Sequence, residues 1–131
     1  MLAEKTEQAM PDQTVLELIE YLEKVNAEVK RIEAEGEAAL ASSGQDAFRA
    51  KLEEKAKLLA GLAENSWELV ERVEGELGDE IAQRMERFSM SASTALRIGS
   101  VFFMTALLYP EDHKPGDPND LEVYIGELRG A

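Results

Sequence analysis

The sequence predicts an all-α fold: an antiparallel up-down-up bundle of three long helices plus a short C-terminal helix, completed by dimerisation. Three observations predict it. Apolar residues recur at alternating steps of three and four, the period of a helical seam. The four prolines, Pro11, Pro110, Pro115 and Pro118, all lie near the chain ends, so Asp12 to Tyr109 contains no helix-breaking ring. Apolar residues make up 44% of the 131, enough for the core of one domain spanning 1–131.

The first helix is expected over 14–41, after a flexible N-terminal segment at 1–12. Thr14 and Glu17 have capping-box spacing, with Asp12 as the alternative cap. Val15, Leu18, Leu22, Val25, Val29, Ile32, Gly36 and Ala39 trace its seam. Ser42-Ser43-Gly44 ends it, because glycine adopts the left-handed backbone of a helix terminus.

The second helix is expected over 45–77. Its inner stripe runs through Phe48, Leu52, Ala56, Leu59, Ala63, Val70, Val73 and Leu77. Gly75 and Gly78 mark the next boundary, with Asp79 as a cap. One continuous helix through Gly78 is the alternative, since an interior glycine costs only about 1 kcal/mol.

The third helix is expected over 80–109, stopped by Pro110. Between Phe88 and Tyr109 its only charge is Arg97. A helix apolar all round must be covered all round. The expected cover is a second copy of the chain, because twofold dimers are the commonest oligomers. Phe102 should then be enclosed, and Phe102→Ala should cost about 3–5 kcal/mol if the burial is complete. A short fourth helix is expected over 118–128, capped by Asp117, with Leu121, Tyr124, Ile125 and Leu128 inward.

The formal net charge of -13 argues against nucleic acid and anionic lipid surfaces as partners. The charge is uneven. Residues 79–109 balance Asp79, Glu80 and Glu86 against Arg84, Arg87 and Arg97, while every other part of the chain is negative. No cysteine is present, which excludes disulfides, thiolate metal sites and a cysteine nucleophile. Met1 to Met10 has no long apolar run and does not read as a secretory signal, so the expected location is cytoplasmic.

The candidate interface or pocket residues are Arg97, Phe102, Phe103, Leu107, Tyr109 and Trp67. Arg97 is a lone cation in an apolar stretch, suited to a carboxylate or phosphate but more simply paired with a glutamate or hydrated. Trp67 is either a core-edge residue or a partner anchor. His113 is the single histidine and reads as an exposed loop residue, since no helix carries a glutamate with a histidine three positions on. The acids around Asp117 lack the glycine-centred calcium-loop pattern. No phosphate loop, dinucleotide fingerprint or zinc spacing occurs. These features predict a non-enzymatic helical protein–protein interaction module: an adaptor, small chaperone or regulator. It is expected to be a homodimer with a further protein partner and without cofactor or metal. The rival readings are a ligand-binding or catalytic bundle, with its pocket near Arg97, Phe102, Phe103 and Tyr109, and a membrane-associated protein.

Overall fold

A computed structural model describes residues 12–131. The N-terminal segment, apart from Asp12, lies outside the described residues. The chain is all-α, with no strand among those residues. Among the described residues six helices follow one another: α1 (Gln13–Ser43), α2 (Gln45–Ala60), α3 (Leu62–Val70), α4 (Gly75–Ile98), α5 (Val101–Ala106) and α6 (Asp120–Arg129).

Helix α1 forms as its spacing predicts. Val15, Leu18, Leu22, Val25, Val29, Ile32 and Gly36 are all buried. Asp12, not Thr14, is the cap; its Oδ1 accepts from the Thr14 N–H at 2.7 Å. Gly44 ends the helix at φ +93° and starts α2 directly. Helix α2 then returns along α1: Lys51 meets Glu35, and Lys55 meets Glu33 one turn back.

The expected second helix, 45–77, is broken at Gly61 and ends at Val70. The cause at Gly61 lies in α4. Ser89 inserts its hydroxyl into the helical ladder, accepting from the Ala63 N–H at 2.9 Å and donating to the Leu59 carbonyl at 3.3 Å. A polar side chain placed in the ladder bends a helix. The chain then turns through residues 71–74, and Gly75 opens α4 at φ +77°. Asp79 is therefore not a cap, and Gly78 lies inside α4, packed against the Val73 carbonyl.

The expected third helix, 80–109, is also divided. Gly99, at φ +71°, closes α4 with bonds from its N–H to Ala95 and Leu96 carbonyls. Ser100 caps α5 by accepting from the Phe103 N–H at 3.1 Å. Arg49 holds the junction through the Gly99 carbonyl. After α5 the backbone extends, and buried Leu108 takes φ +75°, aiming its carbonyl at the Asp120 N–H, 2.9 Å away. Helix α6 begins at Asp120, with Asn119 and Glu122 forming a reciprocal capping box; Asp117 instead accepts from the Lys114 N–H.

Two apolar clusters hold these elements. The larger joins Leu18, Leu22, Leu59, Ile81, Met85 and Leu121. The smaller gathers Leu52, Ala56, Ala95 and Met104 where α5 meets α2 and α4. Helix α6 spans α1 and α4. Glu122 bonds Lys30 at 2.7 Å and Asn26 at 3.2 Å, while the Tyr124 ring meets Phe88 edge-on and lies under Arg84.

Candidate functional site

Two regions stand out as candidates by their exposed apolar side chains or buried charge, and the six residues singled out in the sequence divide between and beyond them. The first is the apolar face of α4 and α5. Breaking the helix at Gly99 turns α5 aside, so the apolar residues that a straight helix would have wrapped around its axis gather at a bend. Met90 is 64% exposed, Ile98 56%, Phe102 75% and Phe103 49%. The Phe102 and Phe103 rings meet edge-on, 5.7 Å apart. A groove of about 700 Å³ lies alongside, lined by Met90, Thr94, Ile98, Phe103 and Leu107. The expected enclosure of Phe102 does not occur within the single chain, because α5 rests on the core through Met104 and turns Phe102 outward.

Arg97 lies in the last turn of α4, where a cation complements the helix dipole. It is exposed and forms no ion pair among the described residues. It lines neither this groove nor the one described next, so the pocket expected around Arg97, Phe102, Phe103 and Tyr109 is not formed by those four together. Trp67 is 55% exposed on α3, beside Ala82 and Met85, and belongs to neither region.

The second region is a groove of about 580 Å³ between α1, α2 and the segment after α5. Ile32, Leu40, Phe48, Leu52 and Tyr109 give it an apolar wall. Lys55 stands at its inner end with 1% of its surface exposed. Its ammonium meets the Glu33 carboxylate at 2.9 Å, donates to the Thr105 carbonyl at 3.2 Å and lies 5.0 Å from the centre of the Tyr109 ring. The Tyr109 hydroxyl donates to the other Glu33 oxygen at 2.7 Å. Burial pulls the Lys55 pKa below its usual range, partly offset by Glu33. Burial, together with the Glu33 carboxylate, pushes the Tyr109 phenol up. Tyr109 was expected at a site; Lys55 and Glu33 were not. Their helical register was the available signal: Lys55 lies three residues after Leu52 and four before Leu59, on the buried stripe.

All three tyrosines are shifted in the same direction. Burial raises Tyr21, Tyr109 and Tyr124, the last to about 12. A phenol whose folded pKa exceeds its unfolded value contributes stability below about pH 10 that is lost as pH rises towards the folded value. Lys55 acts in the opposite sense below about pH 10.5, where the unfolded chain holds a proton the folded chain releases earlier. Tyrosinate absorbance at pH 10.5 is therefore expected to be lower in the folded protein than after adding denaturant. Midpoints near 10 in the folded state would contradict the burial of these rings.

No protein-family model, curated protein or solved structure matches this chain. Among the described residues, no helix is long and apolar enough to cross a membrane.

Proposed function

We propose that the protein is a non-catalytic helical interaction module that pairs with a second copy of itself through the apolar face of α4 and α5. The observation that carries this reading is the exposure of Met90, Ile98, Phe102 and Phe103 together. Contiguous exposed apolar side chains mark interaction surfaces. Charge selects the partner surface. Two chains of net charge -13 repel each other, and the repulsion is least where each contributes none. Residues 79–109 are that neutral stretch. Arg97, exposed beside the face, offers the cation that a partner's carboxylate would take. The acidic outer surface then remains free for a further protein partner, in the manner of an adaptor, small chaperone or regulator. The absence of cysteine fits a reducing compartment, and we place the protein in the cytoplasm.

Ile98→Glu and Phe102→Glu, each placing a charge in the joint, are expected to halve the mass seen in sedimentation while leaving helical circular dichroism unchanged. Leu40→Glu, at an exposed apolar position on α1, is expected to leave the mass as it is. Phe102→Ala is expected to weaken pairing and to change the stability of the lone chain by no more than about 0.5 kcal/mol, the range of an exposed substitution. Undiminished mass in both glutamate variants would refute this face as the joint.

A further inference from the structure

The groove at Lys55 has a selective chemistry of its own, independent of pairing. Its volume, about 580 Å³, falls within the range of roughly 300–1,000 Å³ typical of small-molecule sites. Its two lysines and its histidine are already engaged. Lys55 has Glu33, the Thr105 carbonyl and the Tyr109 ring around its ammonium. Lys51 is held between Glu35 and Glu54, at 2.9 Å from each. His113 bonds the Asp117 carbonyl through Nε2 at 2.9 Å. An incoming anion would have to displace one of these partners.

The remaining lining charge is Glu37. It is exposed and takes part in no ion pair among the described residues. The Tyr109 ring already faces the Lys55 ammonium, which leaves Phe48 as the lining ring open to a cation, and aromatic faces attract cations. An apolar wall, one open ring and one unpaired carboxylate together define a complementary ligand.

We propose that this groove binds a small protonated amine carrying an aromatic or branched apolar body, with Glu37 and the Phe48 ring receiving the ammonium and Ile32, Leu40 and Leu52 receiving the body. The free small molecule, not a lysine of a protein partner, is the occupant, because the groove's volume and apolar wall suit a body larger than an alkyl stem.

Three probes of one size separate the possibilities: 2-phenylethylamine, 2-phenylethanol and 3-phenylpropanoate. Each is titrated into the full chain and followed by backbone amide NMR shifts. The amine is expected to bind about fivefold more tightly than the alcohol, the scale of one exposed ion pair, and the carboxylate most weakly. The shifts should centre on Phe48, Leu52 and Tyr109. Glu37→Gln, which removes no internal partner, is expected to bring the amine's affinity down to that of the alcohol and leave the alcohol's unchanged. Equal affinities, tightest binding by the carboxylate, shifts centred elsewhere, or no shifts at millimolar amine would each overturn the proposal.

Discussion

Gly78→Ala is expected to destabilise the protein by about 3 kcal/mol, the upper part of the range for forcing a methyl group into a filled space. Gly78 is buried in the first turns of α4, and the loop from α3 crosses directly over it. A Cβ at this position would lie 2.0 Å from the Val73 carbonyl oxygen and 3.0 Å from its carbon. Those are backbone atoms, so no rotamer change relieves the overlap. Relief requires moving the 71–74 turn, which also sets Val70 and Val73 in the core. The loss outweighs the gain of up to about 1 kcal/mol that alanine gives over glycine inside a helix. Gly126→Ala isolates that gain. Gly126 lies in α6, exposed, with nothing within 4 Å of an added Cβ. Urea denaturation should therefore move the midpoint down for Gly78→Ala and slightly up for Gly126→Ala. A neutral or stabilising Gly78→Ala would show that the loop does not cross where described.

Glu33→Ala is expected to cost about 3–5 kcal/mol, the penalty for leaving a buried charge without its counter-ion. Lys55, 1% exposed, would keep its ammonium with only the Thr105 carbonyl and the Tyr109 ring for company. The Tyr109 hydroxyl would lose its acceptor as well. The reverse deletion is milder. Lys55→Met fills the same space with an apolar side chain and leaves Glu33, whose side chain is 22% exposed, within reach of water. Its cost should stay below about 1.5 kcal/mol, the low end for a partly hydrated polar group that loses a partner. The double variant should recover more than half of the Glu33→Ala loss, because the stranded charge is then gone. Denaturation midpoints of the three proteins measure this directly. Equal costs for the two single variants would mean that water reaches Lys55.

Much of the architecture was legible because its signals are local. The α1 seam and the α6 face required only three- and four-residue spacing, and their apolar positions are buried as that spacing demands. The divisions of the longer helices were less legible, for two different reasons. Gly61 breaks its helix only because Ser89, distant in sequence, reaches into the ladder. No local reading of residues 45–77 contains that information. Gly99-Ser100, by contrast, is a helix-ending glycine followed by a capping serine, and the signal was present. The apolar residues on both sides masked it. The consequence reaches the candidate site: after the bend at Gly99, α5 seats Met104 in the core and leaves Phe102 exposed. The Lys55–Glu33 pair was masked by composition, since lysines and glutamates abound and most are solvated. Only their register on the facing stripes of α1 and α2 distinguishes these two.

Pairing through α4 and α5 carries the functional reading, and light scattering of the wild-type chain across micromolar concentrations tests it without any substitution. The expected mass is twice the 14.5 kDa of one chain, falling towards a single chain on dilution. A steady 14.5 kDa across the whole range would mean that Met90, Ile98, Phe102 and Phe103 remain in water and that no second copy covers them.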